Sequence, residues 1–376
     1  MLRRRAAPPP LSFEVTSWNI LAPVWAHPSH YFPRSAPHLD ARARAATAVR
    51  RLLAQGSDAL LLQEVEERVL QRMRRDHAEL DATYSIHFAA YPPGWCANWL
   101  TEISGFKPVP NGVAVLLRRG MFSADDGADA AEFRCLDPRD GGAALPPCAQ
   151  GNAALIVRCT WGESGRPLAF VCCHLDADSA RLAERQATWL HRLLAAELVG
   201  EERRAVVWAG DFNLEMRCGA LQAIAGEVEG VVGGGALFRS CFADSGACAA
   251  TPTFHGKGGS RRIDHIWATR DLSVLAAAGA PPPSVPQCPT PAWYVLGELP
   301  CHTTRMWLHE TVLPSWPLWT AMCLALVAAL PLTVVVWTVL RWRNWQDAQR
   351  SEWALAEMGS DHLPVTCTLT LSPADD

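Results

Sequence analysis

The sequence predicts an α/β (α+β) sandwich whose strands deliver polar side chains to one edge. Short apolar, β-branched runs recur between residues 13 and 371, and stretches with apolar residues at helical spacing lie between them. Six of the runs end at, or contain, an Asn, Glu, His or Asp that a purely structural buried strand does not need. Strands and amphipathic helices that alternate in this way pack as layers around a shared core. With 376 residues, 49% of them apolar, the chain has material for one large domain, or one domain and an appendage.

In chain order, residues 1–10 combine Arg3, Arg4 and Arg5 with Pro8, Pro9 and Pro10 and lack the apolar stretch of a secretory signal. A disordered tail is expected there. The first part of the main domain is expected over 11–270. Residues 13–20 read as a strand presenting Asn19. The loop after it carries Trp25, His27, His30, Tyr31 and His38, whose spacing sets no two ligands on one helix face, so it reads as a surface loop over the site. Asp40 can cap a helix in which Ala45, Val49, Leu52 and Leu53 form an apolar stripe and which Gly56 ends. Arg42, Arg44, Arg50 and Arg51 lie mostly outside that stripe and read as a solvated face. Residues 59–62 form the next strand and run into Glu64.

Residues 91–110, with Tyr91, Trp95, Trp99 and Phe106, are either a stacking platform or lid, or a long loop packed on itself. Strands at 113–117 and 153–160 flank a solvated Asp/Gly/Ala/Pro stretch at 123–150. The strand at 168–173 runs into His174, and from Ser179 onward Leu182, Trp189, Leu190, Leu193 and Leu194 mark an amphipathic helix. In Ala205-Val206-Val207-Trp208-Ala209-Gly210-Asp211-Phe212-Asn213 a buried strand stops at a glycine, and Asp211 and Asn213, two apart, face one side while Phe212 packs behind. Ile263-Asp264-His265-Ile266-Trp267 sets a carboxylate in an apolar strand, and Ser360-Asp361-His362-Leu363-Pro364 precedes the last one, 365–371.

In this order and context the six segments resemble the endonuclease/exonuclease/phosphatase superfamily of divalent-metal phosphoesterases. The resemblance spans residues 13 to 268 and resumes over 360–371. Trp18-Asn19-Ile20-Leu21-Ala22, Leu62-Gln63-Glu64-Val65 and Asn111-Gly112-Val113-Ala114-Val115 are most similar to the deadenylase, nocturnin and angel branch. Thr253-Phe254-His255-Gly256 ahead of Asp264 is also seen in more distant bacterial-type members. The resemblance implies a four-layer sandwich of two mixed sheets flanked by helices, with the site at one edge. It also implies a Mg²⁺-dependent phosphodiesterase, with Mn²⁺ as the alternative ion, acting on a nucleic acid or nucleotide by in-line water attack.

A bound Mg²⁺ neutralises a phosphodiester and its departing alkoxide, and it prefers oxygen ligands while keeping several waters. Glu64 is the first expected metal ligand, with Asn19 and Asp361 supporting or completing the shell. By resemblance, Asp211 orients or deprotonates the attacking water and Asn213 holds the phosphate in line. His174 and His362 donate hydrogen bonds to the phosphate's non-bridging oxygens, and Asp264 fixes the tautomer of His362. Lys257 and Arg262, beside Arg261, are expected either to contact flanking phosphates or to belong to a solvated loop.

A net charge of −4 gives no general attraction to polyanions, so a nucleic-acid substrate requires a local basic patch. Thirteen cysteines without Cys-x-x-Cys spacing read as buried reduced thiols. No Asn-x-Ser/Thr acceptor occurs, which fits a cytoplasmic or nuclear enzyme. Residues 271–358 read as an insertion before the final motif at 359–376. Within it, 318–340 carries no charge, is long enough to span a bilayer, has tryptophans near both ends and is followed by Arg341 and Arg343. A true crossing would separate Asp264 from His362, so a non-crossing, membrane-associated insertion is expected. The alternatives are a buried or partner-covered helix, or residues absent from the mature protein. Two other functions follow from that segment: a phosphodiesterase or phosphatase of membrane phospholipids, or a catalytically silent membrane-tethered scaffold.

Overall fold

The computed structural model describes residues 12–26, 31, 33–91, 111–125, 130–136, 152–226, 237–242, 252–256, 259–279 and 349–371. The first half contains β1 (Ser12–Asn19), α1 (Ala41–Gln55), β2 (Ala59–Glu66), α2 (Glu67–Asp76), α3 (Ala78–Thr83), β3 (Tyr84–Ala90), β4 (Asn111–Arg118), β5 (Phe122–Ala124), β6 (Ala131–Cys135) and β7 (Ala153–Trp161). The second half contains β8 (Arg166–His174), α4 (Ala180–Leu194), β9 (Ala205–Asp211), α5 (Gly219–Ala225), β10 (Phe238–Ser240), β11 (Phe254–Gly256), β12 (Gly259–Arg261), β13 (Asp264–Thr269), β14 (Leu272–Gly279) and β15 (Val365–Leu371). One sheet has the order β14-β15-β1-β2-β4-β3, the other β10-β13-β9-β8-β7-β5 with β6 also on β7, and β11 and β12 form a separate hairpin. β1 and β2 are parallel neighbours, as are β8 and β9, while the remaining pairs are antiparallel, so both sheets are mixed.

The period of two along each strand sorts side chains into three cores. From β2, Ala59 and Leu61 join Phe13, Val115, Phe170 and Val207 between the sheets, while Leu60 and Leu62 face Val49 and Leu52 of α1 and Leu70 of α2. In the second sheet Val206 and Trp208 meet Ala187 and Leu190 of α4. Helix, sheet, sheet, helix is therefore the layer order, with each buried Leu or Phe contributing about 2 kcal/mol. The first long helix carries its expected caps, and the second is capped by Ser179. Asp40 accepts from Ala43 N at 2.7 Å, Gly56 takes a left-handed φ of 67°, and Ser179 Oγ accepts from Leu182 N at 3.3 Å.

Three expectations change. The stretch read as a solvated insertion holds β5 and β6. β6 is an edge strand whose Glu132 pairs with Arg158 of β7, so its charge disguises it. The catalytic domain also continues past residue 270, because β14 pairs with β15. Third, Arg44 is buried, as described below. Residues 318–340 lie outside the described residues, and among those described no helix is long and apolar enough to cross a membrane. Five of the six described cysteines are buried, and all six are free thiols.

Gly210 of β9 lies against β8 of the same sheet with no room for a side chain. A Cβ there would fall 1.9 Å from the carbonyl oxygen of Cys173 on the adjacent strand. Gly210→Ala is expected to push β8 from β9 and to cost on the order of 3 kcal/mol, read as a lower thermal midpoint.

Candidate active site

The parallel pairs make several strand ends meet at one edge. Asn19 ends β1, His174 ends β8, and Asp211 ends β9. His174 and Asp211 are register partners, and Asp264, first in β13, sits opposite Asp211 on the other side. Glu64 enters from a bulge in β2, where the register with β4 shifts between Gln63 and Val65 and Glu64 has a φ of 56°. Leu21 at 56° and Asn213 at 51° share that left-handed conformation, which costs a side-chain-bearing residue about 1 kcal/mol or more. Three of the four described non-glycine residues with positive φ thus lie at the edge where polar groups converge, the fourth being Arg203 ahead of β9.

Asn19 ties the first and second sheets together. Its Nδ2 donates to Glu64 Oε1 at 2.9 Å and to Asp211 Oδ2 at 3.1 Å, and its Oδ1 accepts from Leu21 N at 2.9 Å. The other Glu64 oxygen accepts from Ala22 N at 2.9 Å. Two imidazoles approach the same Asp211 oxygen, His362 Nε2 at 3.6 Å and His174 Nε2 at 3.8 Å, and the latter is 4.0 Å from Glu64 Oε1. Each ring is held from behind through Nδ1. His362 Nδ1 donates to Asp264 Oδ2 at 3.0 Å, and His174 Nδ1 pairs with the Tyr91 hydroxyl at 3.0 Å. The Asp264–His362 dyad is therefore assembled despite the long segment between its halves.

Burial and neighbouring charge set the protonation of the group. Burial raises the Asp211 carboxyl, and Asp264 adds to the rise against the pull of His362, His174 and Asn19. Burial alone would lower His362, but the carboxylates of Asp264 and Asp211 outweigh it and push the imidazole up to about 10. Burial also raises Asp361; His362 opposes the rise and Glu64 reinforces it. The Tyr91 hydroxyl is held well above its ordinary value, first by burial and then by the charge of Glu64, so it stays protonated and holds His174 through Nδ1. That bond orients the ring so that Nε2 faces the site. Tyr91→Phe is expected to lower kcat about tenfold with little change in melting temperature, checked by steady-state kinetics beside a thermal melt.

Asp361 lies behind this front. Its Oδ2 accepts from Tyr31 at 3.0 Å, and its buried Oδ1 has no hydrogen-bond partner among the described residues. An orphaned carboxylate oxygen and the nearby Glu64 are hard oxygen donors of the kind a small divalent cation takes. Among the described residues one group, Asp211, Asp264 and His362, also has potential ligand atoms within 4.8 Å of one another. In that group Asp264 and His362 already engage each other, whereas Glu64 and Asp361 offer oxygens only, the donor set a small divalent cation prefers.

The expected site residues fall into place unevenly. Asn19, Glu64, His174, Asp211, Asp264 and His362 converge, with Asp361 adjoining. Asn213 hydrogen-bonds through its backbone N to Asp211 Oδ1 at 2.9 Å and turns its Nδ2 to Leu175 O at 3.0 Å, so it braces Asp211 and the residue after His174. Arg262 corrects an expectation: it is buried, its guanidinium 4.2 Å from the Phe242 ring centre, and a cation stacked in the interior does not reach a flanking phosphate. Lys257 lies outside the described residues.

The residues that brace the edge carry no signal of that role in the sequence. Arg44 reaches in from α1 and donates to Leu21 O at 2.9 Å and Gly359 O at 3.1 Å, joining the turn after Asn19 to the segment that carries Asp361 and His362. Burial lowers Arg44, and Tyr31, Asp361, Glu64 and Glu66 oppose that shift. Ser360 Oγ donates to Asn19 O at 2.7 Å, and Thr253 Oγ1 accepts from Asp264 N at 3.1 Å. The segment Thr253 to His255 is fastened to the last motif through His255 N to Asp361 O at 2.9 Å and Leu363 N to Thr253 O at 2.7 Å.

Solved structures share this architecture. The catalytic domain of human nocturnin, solved with bound sulfate, is 17% identical, with a TM-score of 0.55 over 96% of this chain and 94% of its own. ANGEL2, a 2′,3′-cyclic phosphatase in complex with adenosine-2′,3′-vanadate, is 15% identical, with a TM-score of 0.58 over 96% of each chain. TDP2 from D. rerio, in complex with a single-strand DNA product, is 14% identical, with a TM-score of 0.51 over 96% of this chain and 99% of its own. No curated protein sequence matches the chain. A four-layer sandwich with this edge, carrying a candidate acidic metal site, is the frame of a metal-dependent phosphoric ester hydrolase. The profile of the endonuclease/exonuclease/phosphatase family matches residues 16–362, and the chain belongs to that family.

Proposed function

We propose that the protein is a Mg²⁺-dependent phosphodiesterase of nucleic acids or nucleotides, with Mn²⁺ able to substitute. One observation carries the reading: Asn19 joins Glu64 to Asp211 while two imidazoles present Nε2 within 3.8 Å of the same Asp211 oxygen. Glu64 and Asp361 would hold the ion, with Asn19 orienting the Glu64 carboxylate, and the ion would neutralise the phosphate and its leaving oxygen. Asp211, raised by burial, orients the attacking water and accepts its proton at Oδ2. His362, charged through Asp264, and His174, oriented by Tyr91, stabilise non-bridging oxygens through Nε2. Asn213 keeps Asp211 in line through its backbone N–H, and its carboxamide is within reach of a phosphate by rotating from Leu175.

The substrate class is supported by relatives of the same fold that were solved with an adenosine vanadate and with a single-strand DNA product. The apolar run at 318–340 supports a second reading, in which the same chemistry is applied to phospholipid at a bilayer. A hydrolysis panel with Mg²⁺, using Asp211→Ala as the blank, separates the two: polyadenylated RNA, single- and double-stranded DNA, and sphingomyelin or phosphoinositide vesicles. Turnover of a nucleic acid is the expected result. Turnover confined to vesicles would overturn it in favour of the lipid reading.

A further inference from the structure

The outer helical layer of the first sheet carries charge of one sign. Helices α1 and α2 together hold eight arginines, no lysine and only two acids, Glu67 and Asp76, in a chain whose net charge is −4. Arg44 is buried, and the other seven are exposed. Arg51 pairs with Glu357 at 3.1 Å, Arg74 with Asp81 at 2.9 Å and Arg75 with Asp76 at 3.2 Å. Arg50 bonds only within its own helix, to Ala46 O at 3.3 Å and Thr47 Oγ1 at 3.2 Å. Arg42, Arg68 and Arg72 have neither hydrogen bond nor ion pair among the described residues. Arg42, Arg50 and Arg72 are thus left without a carboxylate, and Arg68 feels the charge of Glu66 without contacting it.

Their placement is not explained by the stability of the helices. Both helices begin at the site edge, α1 after the loop that leaves Asn19 and α2 directly after β2, and both run away from it. Arg42 and Arg68 occupy first turns, where the positive end of the helix dipole disfavours a cation by a few tenths of a kcal/mol. The first turn of α1 holds no acid beyond its cap Asp40, and that of α2 holds Glu67. Arg68 and Arg72 are one turn apart on one face of α2, and α1 and α2 share a core, which makes their outer faces neighbours. Guanidinium is suited to bidentate contact with phosphate.

We propose that this arginine face binds the phosphodiester backbone of a single-stranded nucleic acid whose scissile bond lies at Asp211. The inference rests on the nucleic-acid reading above and gives it an extended substrate, because the face supplies the local basic patch that an acidic chain needs.

The test is the quadruple variant Arg42→Gln/Arg50→Gln/Arg68→Gln/Arg72→Gln, since glutamine keeps helix propensity. Three substrates are compared: bis(4-nitrophenyl) phosphate, a dinucleotide and a long single-stranded oligonucleotide, with a thermal melt as the folding control. Turnover of the two small substrates is expected to stay at the parent level, while KM for the long oligonucleotide rises about tenfold or more. The slope of log binding constant against log salt should become shallower by about 3, from four contacts of roughly 0.7 each. If the parent cleaves the oligonucleotide and the variant matches it in KM and salt slope, the face is overturned and the nucleic-acid reading stands. If the parent neither binds nor cleaves any oligonucleotide yet hydrolyses the small ester, both fall. Loss of binding only to phosphatidylserine vesicles, with oligonucleotides unaffected, would assign the face to a lipid surface and overturn the proposal.

Discussion

Asp211→Asn is expected to lower hydrolysis about 10³-fold or more at saturating metal and substrate, a barrier increase of about 4 kcal/mol. The substitution is nearly isosteric. An asparagine can still accept the Asn213 N–H that Asp211 Oδ1 takes at 2.9 Å, so the strand end keeps its geometry, but no basic carboxylate remains to orient a water. Stability should move the other way. The folded-state value of Asp211 is raised above its unfolded value, so above that range its ionisation works against folding, and the penalty is absent only when the group is protonated in both states. The variant should therefore melt at or above the parent temperature while losing turnover. A parallel loss of both would instead make Asp211 a structural carboxylate and remove it from the chemistry.

Much of that arrangement could be read from the residues, and the reasons are local ones. Runs such as Leu60 to Leu62 and Val206 to Trp208 are apolar because they lie between two layers, so a polar residue at their ends stands out. The Asp40 cap of α1 is set within three residues of the chain and was legible for that reason. β14 was not: Leu275 and Ala276 are exposed on an edge strand held by backbone pairing with β15, and such a strand has little apolar period to detect. Arg44 sits mostly outside the apolar stripe of its helix, and its burial depends on a carbonyl 315 positions away. Tyr91 likewise gave no signal for its bond to His174, 83 positions on. Spacing reports which side of an element a residue occupies, whereas a long polar side chain finds its partner through the tertiary fold.

His362→Gln is expected to cost about 10²- to 10³-fold in hydrolysis and, in chelator-treated protein, on the order of 3 kcal/mol of stability near pH 6. The stability cost arises at Asp264. That carboxylate is fully buried, its Oδ1 has no partner among the described residues, and Oδ2 depends on His362 at 3.0 Å. A glutamine replaces the hydrogen bond but not the charge. The pH dependence has a definite sign. Because the folded-state value of His362 is raised to about 10 from an ordinary 6.5, the native protein holds a proton that the unfolded chain gives up between those values. The contribution is complete below pH 6.5, falls as pH rises through that window and is gone above about 10. Denaturant titrations of parent and variant at several pH values should show their difference largest near pH 6 and closing toward pH 10. Adding Asp264→Asn to His362→Gln removes the orphaned charge and should restore most of the lost stability without restoring turnover. A stability difference independent of pH would mean that His362 is neutral in the native protein, and would leave hydrogen bonding, not charge, as the role of the Asp264 pair.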